Sequence, residues 1–232
     1  GLDVTVLEIR KISLQQTVFV IEGMDLGAVR LQKLPVELNY TFGDLKLKRV
    51  RDVVVRGATL IVDPKQEAGT EPFDFKDIPS LIFKSYPSIL PFESVTITQS
   101  LLEFHHESKT EPFMRREFQA KVHADGHFSF KSQDLEVSGS LDSEKQNAEL
   151  KFTVNGTEPM HWLDLLEAKF NQIRDCGLVD VHAGIHIKKG RFRGGEVTIR
   201  TKLIATKGAR LEDFDASIVF ANDLAPQKFF SK

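Results

Sequence analysis

From Phe118 to Val154 the apolar residues fall on every second position, a periodicity that leaves the chain few folds to choose from. Phe118, Ala120 and Val122 alternate with Gln119 and Lys121, and Phe128 and Phe130 flank Ser129. A period of two sends successive side chains to opposite faces of an extended chain, so these segments read as β-strands with one apolar face. Between them, Ala124-Asp125-Gly126 reads as a three-residue hairpin loop with Gly126 left-handed. That loop sets His123 opposite His127, Val122 opposite Phe128 and Ala120 opposite Phe130. Leu135, Val137, Gly139 and Leu141 alternate next, and beyond polar residues 142–147 so do Ala148, Leu150, Phe152 and Val154. If Leu141 pairs with Ala148, both sets lie on the same side of an antiparallel meander.

The rest of the chain reads the same way. Strands are expected at 4–6, 18–21, 29–31, 36–38, 45–47, 53–55 and 60–62, punctuated by Glu22-Gly23, Phe42-Gly43-Asp44 and Arg56-Gly57. Nothing helical is expected before residue 76. Residues 63–76 are polar and read as a loop, and a short helix is expected near 78–86, opened by Asp77 and stopped before Pro87. A strand follows from Val95 to about His105, then a polar loop over 107–116. A second, amphipathic helix is expected near 158–176. Thr157 would cap it, Pro159 would sit in its first turn, and Trp162, Leu165, Leu166, Phe170 and Ile173 recur at helical spacing ahead of Gly177. Val179, Val181, Ala183, Ile185 and Ile187 alternate again, with further strands at 196–204 and 216–220. The expectation is one elongated β domain over 1–232, divisible into 1–76 and 95–222 at a 77–94 connector. Thr70-Glu71-Pro72-Phe73, Thr110-Glu111-Pro112-Phe113 and Thr157-Glu158-Pro159-Met160 each follow a block of strands and hint at a recurring unit.

Composition narrows the function classes. A formal charge of -2 and a pI near 6.4 remove the global electrostatic argument for nucleic acid. There are 18 Phe against 2 Tyr and 1 Trp, a bias that suits surfaces that stay dry or touch lipid. Cys176 is the one cysteine, so the fold holds without an intrachain disulfide. No run of 18 apolar residues exists to form a spanning helix. The sequence begins at Gly1, so a signal peptide or an anchor would lie outside it.

Catalytic constellations are incomplete. His123 and His127 across a hairpin have the geometry of two zinc ligands, but the sequence places no third, and a solvated pair is the reading preferred here. Glu103, His105 and Glu107 share a face of one strand without completing a ligand set. His182 and His186 alternate with apolar residues and so point outward. Cys176 has no histidine assigned beside it, and no Gly-x-Ser-x-Gly occurs. No enzyme activity, metal or cofactor is expected. Lys188, Lys189, Arg191 and Arg193 form the best basic patch: either a solvated hairpin tip or a contact for anionic lipid headgroups. Asn39-Tyr40-Thr41 and Asn155-Gly156-Thr157 are formal glycosylation acceptors.

A family resemblance adds to this. The run from Leu34-Pro35-Val36-Glu37-Leu38-Asn39-Tyr40 through Leu45-Lys46-Leu47-Lys48-Arg49-Val50, then Val53-Val54-Val55-Arg56-Gly57-Ala58-Thr59-Leu60-Ile61-Val62, resembles the repeated unit of AsmA-like proteins. Ile78-Pro79-Ser80-Leu81 to Leu90-Pro91-Phe92-Glu93-Ser94-Val95 is similar to their connector. So are Gly177-Leu178-Val179-Asp180 to Phe192-Arg193-Gly194-Gly195 and Leu211-Glu212-Asp213-Phe214-Asp215-Ala216-Ser217. The nearest branch is the YdbH-type "dicarboxylate transport" family, related to TamB. The resemblance implies an antiparallel sheet curled lengthwise into an elongated apolar groove. It also implies a periplasmic or envelope setting, and phospholipid or another acyl-chain ligand passed between membranes. On this reading Phe118, Val122, Phe128, Phe130, Leu135, Val137, Leu150 and Phe152 line the groove, and Lys188, Lys189, Arg191 and Arg193 meet headgroups. Family members are much longer and carry an N-terminal anchor, so this chain would be a fragment or a shortened relative. The alternative is a non-enzymatic envelope scaffold whose apolar face packs shut and whose edge strands recruit a protein partner by strand addition.

Overall fold

A computed structural model of the 232-residue chain describes residues 6–21, 24–25, 29–31, 34–62, 83, 92–104, 112, 114–158, 173–206, 208–221 and 226–231. The chain is mainly β and divides into two compact units, one of residues 1–73 and 88–133 and one of residues 74–87 and 134–232. The main boundary thus falls between Gln133 and Asp134, whereas the sequence pattern suggested a division at 77–94, most of which lies outside the described residues.

Unit 1 contains β1 (Val6–Ile12), β2 (Gln16–Ile21), β3 (Met24–Asp25), β4 (Val29–Leu31), β5 (Leu34–Asn39), β6 (Val50–Arg56), β7 (Thr59–Val62), β8 (Phe92–Phe104), β9 (Met114–His123) and β10 (His127–Ser132). The strands pair laterally in the order β1, β2, β5, β6, β8, β9, β10. β3 pairs with β4 and β4 with β7, which continues β6 beyond a break at Gly57 and Ala58. All these pairs are antiparallel except those of β6 and β7 with β8, so the sheet is mixed rather than a pure meander. The expected hairpin register holds: Phe128 faces Val122, Phe130 faces Ala120, and Gly126 is left-handed at φ 89°.

Two local expectations fail, the first because β9 begins at Met114, inside the stretch 107–116 expected as loop. Residues 45–47 read as strand, yet Phe42–Lys46 form a short helix, α1. Thr41 and Asp44 close a capping box: the Asp44 amide donates to Thr41 Oγ1 at 3.2 Å, and the Thr41 amide donates to Asp44 Oδ2 at 2.7 Å. Two donors that a helix start would leave bare are thereby satisfied, which outweighs the alternation of Leu45 and Leu47. The hydrogen bonds from Thr41 hold the Asp44 carboxyl below the ordinary carboxylate range, with Arg51 adding a smaller pull. Because its folded pKa is depressed, the carboxylate's support for the cap is present above the unfolded value and is lost as pH falls through the folded one. Acid titration followed by NMR should therefore move the Thr41 amide resonance together with the Asp44 carboxyl. A Thr41 amide indifferent to that titration would contradict the cap.

A seam of irregularity crosses unit 1 where β6 gives way to β7. Gly57 and Gln99 take positive φ of 66° and 52°, and the β8–β9 register shifts between Ile97 and Ser100. Ser100 is fully buried there; its hydroxyl donates to Thr98 O at 2.9 Å and accepts from the Ala58 amide at 3.1 Å. Replacing Ser100 with alanine orphans that amide, at a cost of about 1–3 kcal/mol measurable by urea denaturation. An unchanged midpoint would show that the hydroxyl pins nothing.

Unit 2 contains β11 (Leu135–Asp142), β12 (Asn147–Thr157), β13 (Ile173–Cys176), β14 (Val179–Lys188), β15 (Arg191–Thr206), β16 (Arg210–Phe220) and β17 (Pro226–Ser231). β11, β12, β14, β15, β16 and β17 form an antiparallel meander, and β13 pairs with the far half of β15. Leu141 faces Ala148, the pairing that sets both apolar runs on one side of the sheet.

The helix expected near 158–176 is corrected at both described ends. Thr157 does not cap a helix: it lies in β12, buried, and its hydroxyl donates to Asp134 Oδ2 at 2.9 Å. Residues 173–176 are strand, with Cys176 opposite Ile204. Gly177 is a strand break rather than a C-cap, and its amide donates to Leu203 O at 2.9 Å. Residues 159–172 lie outside the described residues, as does the short helix expected at 78–86 apart from Phe83. This unit has a seam of its own. Gly156 and Asp213 take φ of 59° and 51°, β13 breaks into β14 at Gly177 and Leu178, and the β12–β14 register shifts between Val154 and Thr157.

Candidate functional site

Each unit carries an apolar face whose composition follows from register. In unit 1, Ile9, Phe19, Val36, Val55, Ile97, Ala120 and Phe130 stand opposite one another strand by strand and form one lateral row. Ile12, Thr17, Leu38, Val53, Val95, Val122 and Phe128 form the next. The neighbouring positions on the opposite face include Glu37, Thr96, Lys121 and Ser129. Ile21, Leu34, Val36, Val55 and Ala58 close into a buried cluster near the seam. Phe19, Leu38, Val53 and Ile97 are half-buried and pack against that cluster; farther along the rows Val95, Val122, Phe128 and Phe130 are half-buried, and Ile9 and Ile12 are exposed.

Unit 2 repeats the arrangement. Leu135, Val154, Val181, Ile199 and Ala216 form one row, and Val137, Phe152, Ala183, Val197 and Ile218 a second. Of these ten side chains only Ala216 is buried; the other nine are half-buried. The face closes toward both ends: Leu150, Ala148, Ile187 and Phe192 are buried at its hairpin end, and Thr157, Thr201 and Ala216 at the other. A dry two-layer core would bury its central positions on both sheets. Here the centre of the face stays partly in contact with solvent.

The eight side chains assigned to a lining divide evenly between the units. In unit 1, Val122 stands opposite Phe128, and Phe118 stacks on Phe130 with ring centroids 5.3 Å apart and planes 21° apart. In unit 2, Val137 stands opposite Phe152, and Leu135 and Leu150 lie in the adjoining rows. Phe118 and Leu150 are buried and belong to closed ground, whereas the other six are half-buried. Sequence reasoning left out Phe19, Val53 and Ile97 of unit 1 and Ala183, Val197 and Ile218 of unit 2. The same alternation marks them, but only the register aligns them with the chosen eight.

The polar faces offer less. His127 Nδ1 lies 3.1 Å from Asp125 Oδ1 at the hairpin loop, both exposed, and His182 and His186 point outward as expected. No group of three potential metal ligands occurs among the described residues. Glu103 is buried and pairs with Arg115 at 2.8 Å, while His105 and Glu107 lie outside the described residues. Cys176 is half-buried, and burial pushes its thiol above the ordinary range, away from the thiolate a nucleophile needs. A depression of about 560 Å³ on the polar face of unit 2, around Gly184, is lined by Glu149, Lys151, His182, His186 and Glu196. Glu149 and His186 meet across it at 3.9 Å, both exposed, so it is a wet, shallow hollow. Lys188, Lys189, Arg191 and Arg193 are exposed at the β14–β15 hairpin. Among the described residues, no helix is long and apolar enough to cross a membrane.

Neither the family models searched nor the curated proteins contain a match to this chain.

Proposed function

We propose that the chain is a non-enzymatic lipid-binding module of a cell envelope, and that each unit holds acyl chains in a groove along its own apolar face while headgroups stay in water. The observation that carries this reading is the half-burial of nine of the ten central apolar side chains of unit 2. Each methylene laid against such a face leaves water with a gain of about 0.8 kcal/mol, so a handful of contacts suffices for binding, and no catalytic group is required. A graded, directionless hydrophobic surface also suits passage of lipid along a sheet, since no single contact holds it fast. The resemblance to AsmA-like proteins points the same way, toward phospholipid moved between two membranes of an envelope and toward outer membrane biogenesis. The test is titration of the purified chain with a fluorescent acyl-chain probe, displaced by unlabelled phospholipid. Saturable uptake and competition are the expected result; a probe that stays in bulk water sinks the reading.

A second reading is favoured by one specific observation. Among the described residues β1 pairs with β2 on one side only, and all seven of its residues are exposed, Ile9 and Ile12 among them. An exposed apolar edge strand is a template for strand addition, which would make the chain an assembly scaffold with a protein partner.

A further inference from the structure

The β14–β15 hairpin gathers four exposed basic side chains within six residues. Arg10, Arg51, Arg115, Lys145, Arg200 and Arg210 each lie within 4.0 Å of a carboxylate. Lys188, Lys189, Arg191 and Arg193 have no such partner among the described residues, and all four are exposed. The local backbone holds them together. Lys188 faces Arg191 across a two-residue turn in which Lys189 and Gly190 both take positive φ, 54° and 68°, the primed geometry that suits a tight hairpin. The turn is clipped to its neighbour: the Gly190 amide donates to Gln146 O at 2.8 Å, and the Lys189 amide donates to Asn147 Oδ1 at 3.1 Å. A Cβ at residue 190 would stand 2.9 Å from Gln146 Oε1, so glycine also makes room for the clip.

Directly behind the tip, Ile187 and Phe192 are only 3% and 6% exposed. The end therefore presents charge and offers no apolar residue to insert. We propose that this tip docks unit 2 on the surface of an anionic phospholipid bilayer by electrostatics alone, without penetration. The proposal rests on the lipid-binding reading above and names its lipid class, phosphodiester headgroups with net negative charge. Bilayer is favoured over a nucleic acid because the apolar rows begin immediately behind the tip, with Leu141, Ala148, Ile187 and Phe192 in the first of them. Docking there sets the end of the apolar face at headgroup level, whereas a nucleic acid gains nothing from that adjacency.

The full chain is co-sedimented with vesicles of phosphatidylcholine alone and of equimolar phosphatidylcholine and phosphatidylglycerol. Binding is expected only to the anionic vesicles, and it should vanish near 1 M salt, where screening acts within roughly 3 Å. Changing all four residues to glutamate should weaken partitioning on the order of a hundredfold or more, and changing them to glutamine should remove most of it, given about 1 kcal/mol per basic residue at such a surface. Equal binding to both vesicles, a glutamate variant that binds as well as the parent, or tighter capture of a single-stranded oligonucleotide than of vesicles would overturn the proposal. Phe152→Asp keeps the tip and should dock normally while losing acyl-chain uptake. Docking without uptake in the parent chain would refute the lipid-binding reading and leave the tip intact.

Discussion

Val36→Asp is expected to unfold unit 1, with a loss of about 4 kcal/mol or more. Val36 is 7% exposed in β5, with Phe19 opposite it on one side and Val55 on the other, inside the buried cluster of Ile21, Leu34, Val55 and Ala58. An aspartate there places a charge among side chains that can neither hydrogen-bond nor pair with it. It then either stays ionised at a large desolvation cost or takes up a proton and still lacks acceptors and donors. The companion change Leu34→Ala removes only volume and should cost about 2–5 kcal/mol. Urea denaturation monitored by circular dichroism checks both. If Val36→Asp left the transition where it was, the cluster would not be the core of this unit.

The second large effect separates the two faces of a single strand. Phe152→Asp should abolish acyl-chain uptake, whereas Thr153→Asp, one residue away, should leave it within about twofold. Phe152 lies between Val137 and Ala183 in the middle of the half-buried row, and Thr153 lies between Glu136 and His182 on the polar face. Losing contact with even two or three methylenes, at about 0.8 kcal/mol each, weakens binding by roughly ten- to fiftyfold, before the repulsion of a carboxylate from a hydrocarbon chain is added. Because Phe152 lies in a row that is not fully buried, the sheet is expected to stay folded. Circular dichroism on both variants, beside probe titration, measures the contrast. Equal loss from both would mean that the strand, and not its apolar face, is what the ligand needs.

Strand registers were readable where a turn fixed them. Ala124-Asp125-Gly126 set Val122 against Phe128 because a left-handed glycine there closes a three-residue loop, whereas the polar stretch 142–147 fixed no register and left the Leu141–Ala148 pair a condition rather than a result. α1 was misread because Leu45 and Leu47 mimic strand alternation while the deciding information lies in Thr41 and Asp44, whose reciprocal hydrogen bonds act over three residues. Residues 173–176 were drawn into a helix by the spacing of Ile173 with Phe170, a short-range pattern that pairing with β15 overrides. The seams were half visible. Gly57, Gly156 and Gly177 mark them, but Gln99 and Asp213 take positive φ with no sequence sign of it. The exposure of the apolar faces was not readable at all, since a dry core and an open face have the same period of two. The burial of Val137, Phe152 and Val197 depends on what packs against them, which lies outside any strand's own pattern.

Native mass spectrometry of the purified chain, followed by organic extraction and lipid identification, tests the open apolar face most directly. The account predicts co-purifying phospholipid that persists through mild purification and is absent from Phe152→Asp. A parent chain that is lipid-free, and that also takes up no labelled phospholipid when offered it, would contradict the account.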